Sequence, residues 1–477
     1  MNFTKAKYDA VVVGAGPNGL AAAIVLARAG RSVLLLEKRE KVGGGARTYE
    51  TTLPGFHHDP CATVLGTALA SPFFRSLPLD QFGLEYVYAP APLAHPLDGE
   101  PAVILEQSVK KTARGLGVDE KAYLRFMNPL MQQAGSLFEL IFGPYPNPLR
   151  SPILMARFGL NAIRSVEGAA RGLFKEGRAR SLFAGLGAHS MLPLDMPGSA
   201  AIGIMLTLVA HKTGWAVSKR GAQEFSDALA KYFCSLGGEI ITDYTVTSDK
   251  DIPPANQIIF DLTPRQLLPI VGDRFTSGYR RQLENFRYGP GVFKIDWALD
   301  GPIPWQDPAV SRAMVVHLGN TLEEMVISER DAWEGRQTGK PFVLLAQSSL
   351  FDPSRAPDGK HTAWAYCHVP HNSNLDMTIA IEDQVERYAP GFKQRILARS
   401  SFNAVEMEVY NPNYVGGDIN GGSQDLRQLF TRPVPKLNPY QTSDKNIFLC
   451  SSSTPPGGGV HGMCGYFAAK AALRAQG

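Results

Sequence analysis

The sequence predicts an α/β fold in which a domain built on a parallel sheet carries an inserted α+β domain, a mixed sheet with a helical cap. Three observations support this prediction. Residues 8–37 have the pattern of a strand, a glycine-rich turn, a helix and a second strand. A helical and then a β-rich stretch follow, and residues 446–475 return to the first pattern of strand, glycine loop and helix.

The N-terminal unit is a βαβ motif. An apolar strand at Asp9–Val13 leads into the turn Gly14–Gly19, and an Ala- and Leu-rich helix at Leu20–Ala29 precedes a strand at Ser32–Glu37. This order predicts that the first and second strands are parallel neighbours.

The middle of the chain divides into a helical part and a β-rich part. Residues 72–220 are punctuated by prolines and contain long apolar stretches that predict helices, Tyr123–Phe142 and Ile153–Phe183 among them. A helix at Ala222–Gly237 and strands at Glu239–Val246 and Gln257–Phe260 would rejoin the first sheet, and turn signals between residues 286 and 377 indicate a second sheet. We therefore assign one discontinuous domain to residues 1–75, 222–270 and 440–477, and the other to residues 76–221 and 271–439, with its helical region at about residues 120–185.

Composition excludes several classes of protein. The 477 residues are 44% hydrophobic with a net charge of +4 and no run of Lys and Arg, which disfavours a nucleic-acid partner. The five cysteines lack CxxC spacing, and no histidine spacing marks a metal site. No signal peptide is visible and the apolar run Ala200–Ala210 is too short to span a bilayer, so we expect a cytoplasmic protein, or one that lies on a membrane surface.

The glycine-rich turn predicts a dinucleotide site. Gly14 permits the tight turn, Gly16 lets a pyrophosphate approach the backbone, and Gly19 allows close packing of helix on strand. Glu37 ends the second strand at the spacing of an acid that binds ribose hydroxyls. The predicted contacts also include the neighbouring residues Pro17, Asn18 and Lys38.

A second glycine segment suggests which dinucleotide binds. Gly44-Gly45-Ala46-Arg47 after Glu37 resembles the flavoproteins of the glutathione reductase and amine oxidase superfamily. The resemblance implies a Rossmann-type FAD-binding domain in which this segment also contacts the FAD pyrophosphate. It implies FAD bound without a covalent link.

Other segments narrow the resemblance to the phytoene desaturase-like family. They are Pro54–Asp59, Gly214-Trp215, Arg220–Gln223, Val415–Asp418 and Ser453–Met463. The resemblance implies that Val246 contacts the adenine side and that Gly459, Val460, Gly462 and Met463 border the isoalloxazine. Two departures are a shortened stretch after Val246 and Arg220-Gly221 in place of a more usual Gly-Gly.

A single dinucleotide fingerprint indicates that electrons pass from the flavin to oxygen, a quinone or another diffusible acceptor. The leading hypothesis is dehydrogenation of a hydrophobic small molecule by hydride transfer to flavin N5. Two alternatives stay open: C–N oxidation of the amine oxidase type, and a flavin-dependent isomerase or flavin-binding protein without net redox chemistry.

Three residues are candidates for catalysis. His461 lies in the glycine loop expected near the ring, where it is either the base or a hydrogen-bond partner of flavin or backbone. His58 and Asp59 either line the same cavity or cap and brace the loop. Cys464 lies where some amine oxidases carry a covalent flavin cysteine, but we expect it to be buried and inert. His189, His211, His368 and His371 are interpreted as structural.

Arginines recur every seven residues at positions 150, 157, 164, 171 and 178. On a continuous helix they would form a slowly drifting stripe beside apolar residues. This pattern suggests either a solvated, ion-paired face or a membrane-surface face through which a lipophilic substrate enters.

Overall fold

The computed structural model describes residues 3–144 and 151–475. Its strands are β1 (Tyr8–Val13), β2 (Val33–Leu36), β3 (Tyr86–Tyr88), β4 (Ala91–Leu97), β5 (Glu100–Leu105), β6 (Ala216–Ser218), β7 (Glu239–Ile241), β8 (Ala255–Phe260), β9 (Gly291–Leu299), β10 (Ala313–Leu318), β11 (Val343–Ala346), β12 (His361–Val369), β13 (Ile396–Phe402) and β14 (Ile447–Leu449).

The helices are α1 (Pro17–Arg28), α2 (Gly66–Ala70), α3 (Val109–Gly115), α4 (Glu120–Gln132), α5 (Ala134–Ile141), α6 (Pro152–Ala162), α7 (Val166–Leu173), α8 (Gly177–Ala188), α9 (Ala200–Thr213), α10 (Ala222–Ser235), α11 (Pro264–Val271), α12 (Ser277–Glu284), α13 (Leu322–Trp333), α14 (Thr378–Tyr388), α15 (Ala404–Tyr410), α16 (Leu426–Leu429) and α17 (Met463–Arg474).

A parallel sheet has the strand order β14-β8-β1-β2-β7. Alternate residues of β1 point to opposite faces: Val12 packs with the core around α1, whereas Val11 packs with Leu267 of α11. Because both faces are covered, these strands are apolar without interruption. The predicted βαβ unit and parallel sheet are confirmed.

A mixed sheet has the order β13-β9-β12-β11-β10-β4-β5, in which β4 and β10 are parallel and the other pairs are antiparallel. One face packs on α14 through residues such as Trp297 and Ile381. The other face contributes Val315 and Leu344 to the core shared with the helical region. This arrangement confirms the predicted α/β class with a second, mixed sheet and a helical cap.

Three predicted elements are shorter than expected. The stretch Tyr123–Phe142 is divided between α4 and α5, and Ile153–Phe183 is divided among α6, α7 and α8. The Ser165 side chain accepts a hydrogen bond from the Gly168 N–H and so caps a new helix at α7. The strand predicted to reach residue 246 ends at Ile241, and Asp243 shortly beyond it has a left-handed φ of 54°.

In residues 3–144 and 151–475, no helix combines the length and the apolar character that crossing a bilayer requires.

Candidate functional site

The candidate site is a cavity of about 630 Å³ at the carboxyl end of the parallel sheet. Val13 and Leu36, the last residues of β1 and β2, line it, and so does Asp261 just after β8. Val315 and Leu344 of the mixed sheet line the cavity as well. In open parallel sheets, ligands bind at this edge.

The first glycine turn leaves no room for side chains. Gly14 adopts a left-handed φ of 100°. A Cβ on Gly19 would lie 1.9 Å from the Gly14 carbonyl oxygen, so this position holds α1 against β1. A Cβ on Gly16 would lie 2.6 Å from Asp261 Oδ2, so only a glycine leaves backbone N–H groups open toward the cavity at this point.

The second glycine segment packs directly against the first. A Cβ on Gly44 would lie 2.9 Å from the Gly16 Cα, and Gly44 itself has a left-handed φ of 56°. A Cβ on Gly45 would lie 2.0 Å from the Tyr414 hydroxyl oxygen. The two segments together form a wall of bare backbone, which is the surface that a pyrophosphate needs for close approach.

Glu37 and Arg47 form a buried ion pair beside this wall. The Arg47 Nη2 donates to Glu37 Oε1 at 2.9 Å, and both side chains are less than a tenth exposed. The backbone N–H groups of Ala15 and Arg39 donate to the two carboxylate oxygens at 2.9 Å. These contacts hold the Glu37 carboxylate at the end of β2, where the sequence analysis expects ribose hydroxyls.

Most of the predicted cofactor contacts lie on the cavity wall. The lining residues among them are Gly14, Gly16, Pro17, Asn18, Glu37, Lys38, Gly44, Gly45, Ala46, Arg47, Val246, Gly459 and Val460. Gly19, Gly462 and Met463 do not line it. Gly462 caps α17 with a left-handed φ of 67°, and its Cβ would meet the Phe74 ring at 2.4 Å.

One acid at the glycine turn, Asp261, was not predicted from the sequence to belong to the site. Asp261 Oδ2 accepts a hydrogen bond from the Gly19 N–H at 2.9 Å. Burial raises the pKa of this carboxyl to about 7, the nearby Glu37 carboxylate adds to the rise, and the hydrogen bond from Gly19 opposes it. Asp261 is 242 residues from Gly19, so only the pairing of β8 with β1 reveals the contact.

His461 bonds to the backbone in the structure, which is the alternative that the sequence analysis gave to the role of base. Its Nδ1 accepts from the Met463 N–H at 3.1 Å, and its Nε2 therefore donates to the Gly457 carbonyl at 3.1 Å. The side chain is buried, packs on the Phe142 ring and is absent from the cavity wall. Burial lowers its pKa to about 4. Both ring nitrogens are occupied in holding the glycine loop.

His58 and Asp59 do not line the cavity either. His58 Nε2 is 2.8 Å from the Thr52 hydroxyl, and its Nδ1 is 3.5 Å from Asp296 Oδ1. The Asp59 carboxylate accepts hydrogen bonds from four donors: the Thr48 and Thr63 hydroxyls, the Ala222 N–H and Arg355 Nη1. Asp59 thus ties the start of α10 to the loop after Arg47.

Cys464 is fully buried and lies off the cavity wall. Its Sγ is 3.4 Å from the Thr454 carbonyl oxygen and 3.6 Å from that of Gly457. Burial raises the pKa of the thiol to about 11. A protonated thiol that faces carbonyl oxygens is a poor nucleophile toward a cofactor.

The far end of the cavity is apolar and aromatic. Trp364 and Tyr366 of β12 stack with their planes 10° apart and their centroids 5.7 Å apart, and Trp215 lines the cavity beside His189. The aliphatic side chains here are Ile202, Met205, Leu206, Val315, Leu344 and Leu345. His189, interpreted from the sequence as structural, also lies on this wall.

The arginine series does not form one stripe. Arg150 lies outside the described residues, and the others belong to separate helices or the turns between them. Arg171 pairs with Glu167 and Glu323, and Arg178 donates to the Pro101 carbonyl. In the described part of the chain, no group of three or more His, Cys, Asp or Glu side chains is arranged to hold a metal ion.

Comparisons with known proteins agree with this architecture. Residues 12–77 match the family model of the NAD(P)-binding Rossmann-like domain. The chain is 26% identical to the pyridine nucleotide-disulfide oxidoreductase domain-containing protein 2 of Rattus norvegicus, a match covering 98% of this chain and 94% of the relative. It is 23% identical to a lycopene-forming phytoene desaturase of a Paracoccus species, with 96% of both chains covered.

A solved structure shares the fold. The crystal structure of an oxidoreductase from Methanosarcina mazei matches with a TM-score of 0.67 at 16% sequence identity, covering 98% of this chain and all of that one. The chain is an oxidoreductase that is similar to phytoene desaturases over nearly its whole length.

Proposed function

We propose that the chain binds FAD without a covalent link and dehydrogenates a hydrophobic small molecule. One observation carries the proposal: a single cavity joins the bare backbone of the two glycine segments to an apolar, aromatic end. A flavin ring at the junction would meet a substrate held in the aromatic end.

The residues of the glycine-lined end fit FAD. Protein atoms fill the Cβ positions of Gly16 and Gly44, so both must be glycine, and their bare backbone on the cavity wall can meet a pyrophosphate. Glu37 favours a ribose with free hydroxyls over a phosphorylated one. In this proposal the cofactor domain comprises residues 1–75, 222–270 and 440–477, Val246 faces the adenine, and Gly459 and Val460 border the ring.

Bound flavin would supply the hydride acceptor for the reaction. The chain's own residues would bind and orient the two partners. Trp215, Trp364 and Tyr366 would hold the substrate and exclude water, because their large apolar surfaces leave few positions at which water can make hydrogen bonds. Reoxidation by oxygen or a quinone is part of the proposal, since the sequence has one dinucleotide fingerprint.

The composition of the cavity bears on the amine oxidase alternative. In the described residues, the carboxylates on the wall are Glu37 and Asp261, and both lie at the glycine-lined end. A protonated amine at the aromatic end would lack a carboxylate partner and would be costly to desolvate. This distribution favours an uncharged substrate.

A membrane surface is the proposed route for a lipophilic substrate. Ile153, Leu160 and Ile163 project from one side of α6 with exposures of 68%, 68% and 55%. Helix α6 packs on α9, which supplies Ile202 and Met205 to the cavity wall. Arg157 lies near the same face, and residues 152–162 include no acid, so anionic lipid is the partner that fits.

The first experiment is an absorption spectrum of the purified chain before and after acid precipitation. A flavin spectrum that moves to the supernatant supports non-covalent FAD. Colour retained in the pellet would contradict the non-covalent link, and the absence of flavin after incubation with FAD would contradict the cofactor proposal itself.

The second experiment tests the substrate class. Uncharged polyenes and alicyclic compounds are added anaerobically to the FAD-loaded chain, with primary amines of similar size as matched controls. Bleaching of the flavin by the uncharged compounds supports the proposal. Bleaching by amines alone favours C–N oxidation, and a product of unchanged mass formed without net bleaching favours the isomerase.

A further inference from the structure

Three histidines form a buried row that starts at the aromatic end of the cavity. His189 follows α8, His317 lies on β10 and His95 lies on the neighbouring strand β4. His317 and His95 are fully buried, whereas His189 is partly exposed and lines the cavity. Among the described residues on the cavity wall, His189 is the one histidine.

The contacts along the row are close. His189 Nε2 lies 3.0 Å from His317 Nε2. The Nδ1 atoms of His317 and His95 are buried without a hydrogen-bond partner and flank the same residue, Gly185. A Cβ on Gly185 would lie 2.7 Å from the first of these atoms and 3.3 Å from the second. The glycine at this position of α8 therefore gives both rings room to lie against the helix.

The far end of the row fixes the tautomer of His95. His95 Nε2 is 2.7 Å from the Asn320 carbonyl oxygen, which can only accept, so His95 carries its proton on Nε2 and its Nδ1 is a lone pair. His317 Nδ1, on the other side of Gly185, has no hydrogen-bond partner. His317 is therefore held through its Nε2, where one of the two facing nitrogens must donate to the other.

The His189–His317 contact affects which ring nitrogen of His189 is unprotonated at the cavity. When His189 is the donor of this pair, its proton is on Nε2 and its Nδ1, the ring nitrogen that His317 does not engage, is unprotonated. The row thus presents a proton acceptor in a wall that is otherwise apolar and aromatic.

We propose that His189 is the proton-accepting catalytic residue of this cavity and that His317 is the positioning residue that accepts from its Nε2 and so keeps its Nδ1 unprotonated. This inference rests on the proposed dehydrogenation. Dehydrogenation removes a hydride and a proton from the substrate. The flavin would receive the hydride with its electron pair, and His189 Nδ1 would receive the proton.

The surroundings keep His189 neutral at physiological pH. Burial lowers its pKa to about 3, and His368 on β12 adds to the depression. The other titratable groups around the row are His317 on β10, His95 on β4, Tyr366 on β12 and Glu329 on α13. Glu329 is bonded to His368 Nδ1 at 2.6 Å, so the carboxylate serves His368 and not His189.

A weak base suffices for this chemistry. Loss of a hydride leaves positive charge on the substrate carbon, and the neighbouring C–H bond then becomes strongly acidic. A neutral imidazole that stays unprotonated at neutral pH is always ready to accept that proton. A residue with a higher pKa would be partly protonated before the substrate binds.

The first test needs neither flavin nor substrate. Nitrogen-15 NMR of histidine-labelled chain distinguishes protonated from unprotonated ring nitrogens, and loss of a signal pair in His189→Phe assigns His189. We expect an unprotonated Nδ1 and a protonated Nε2 that persist from pH 5 to pH 8. The opposite tautomer, or titration of His189 within this range, would overturn the inference while leaving the FAD proposal intact.

A binding test uses phenol as a hydrogen-bond donor and anisole as its matched non-donor. We expect the ratio of anisole to phenol dissociation constants to fall about tenfold in His189→Phe, because the acceptor is lost. The control His57→Phe, at an exposed position, should leave the ratio unchanged. An equal ratio in wild type and His189→Phe would contradict the inference.

The positioning role has its own variant. Gly185→Ala places a methyl group between the His317 and His95 rings, and we expect it to shift the ring-nitrogen signals of both residues and of His189. Unchanged His189 signals would show that the neighbouring histidine rings do not set the tautomer of His189. With FAD and a bleaching substrate in hand, His189→Phe should slow bleaching at least about a hundredfold, and an unchanged rate would exclude His189 as the proton acceptor.

Discussion

The Asp261 carboxylate accepts a hydrogen bond from the Gly19 backbone N–H at 2.9 Å. An acid therefore lies at the first turn of α1, the helix end whose free N–H groups and dipole would otherwise attract a phosphate. The same carboxylate approaches the position of a Cβ on Gly16 to 2.6 Å. The proposed pyrophosphate and Asp261 would be close neighbours, and their charges would repel when both are ionised.

The charge of Asp261 should make FAD binding depend on pH. With a pKa of about 7, the carboxyl is mostly neutral at pH 6 and mostly ionised at pH 8. We expect the dissociation constant of FAD to rise roughly tenfold between these values, and Asp261→Asn to remove most of the rise. Fluorescence titration of FAD at fixed ionic strength measures both constants.

The control for this prediction is Asp80→Asn, the same change at an exposed position. It should reproduce the wild-type pH dependence. A wild-type affinity that is constant from pH 6 to pH 8 would exclude Asp261 as a neighbour of the pyrophosphate.

The same shift affects the stability of the flavin-free chain. Because the pKa is raised on folding from an ordinary value of about 4, the folded state holds the proton more tightly than the unfolded state. The stability contribution is fully present below about pH 4 and is lost as the pH rises toward 7. Urea midpoints of wild type and Asp261→Asn should therefore diverge over this range, and parallel midpoints would argue against the raised pKa.

The glycine cradle predicts loss of cofactor without loss of fold. Gly16→Val would direct its side chain at Asp261 and across the path of a pyrophosphate, so the variant should retain less than about a tenth of the wild-type flavin. The ratio of flavin to protein absorbance after desalting measures retention, and circular dichroism checks the fold. Gly115→Val, where a Cβ meets nothing within 4 Å, is the matched control. A folded, fully loaded Gly16→Val would refute the assignment of this turn to the cofactor.

Asp59 should matter for stability and not for chemistry. It pairs with Arg355 at 2.9 Å, and both side chains are almost completely buried. Asp59→Asn leaves the guanidinium with one buried carboxylate partner, Asp352 at 3.2 Å, and we expect the free energy of unfolding to fall by about 1–3 kcal/mol. Asp300→Asn, which breaks an exposed pair with Lys360, should change it by less than about 1 kcal/mol. Chemical denaturation compares the two, and a slower flavin reduction in folded Asp59→Asn would restore the catalytic hypothesis for this residue.

Local patterns in the sequence were sufficient to predict the residues of the glycine-lined end of the cavity. Gly14, Gly16 and Glu37 are close together in the chain, and their spacing alone specifies a strand, a turn, a helix start and a strand end. The second glycine segment follows within ten residues of Glu37. Each step of that prediction needed only the geometry of one βαβ unit.

The aromatic end of the cavity could not be predicted in this way. His189 and His317 are 128 residues apart, and their contact depends on how α8 packs against β10. His461 was selected for its position in a glycine loop, but its ring nitrogens bond to backbone atoms only two and four residues away. Sequence identifies a titratable residue near a cofactor loop, whereas the direction of its side chain depends on packing.

The exposed face of α6 yields a prediction about membranes. Changing Ile153, Leu160 and Ile163 together to Ser removes three apolar side chains from one side of the helix, and we expect partitioning onto vesicles of anionic phospholipid to fall at least about tenfold. Ile327, Ile379 and Val409 are similarly exposed on α13, α14 and α15, so the same change at these three positions is the control. Sedimentation with vesicles gives the bound fraction, and flavin absorbance confirms that each variant is folded and loaded. Equal binding by both triple variants and wild type would show that α6 is not the surface that meets lipid, and a lipophilic substrate would then have to enter the cavity by another route.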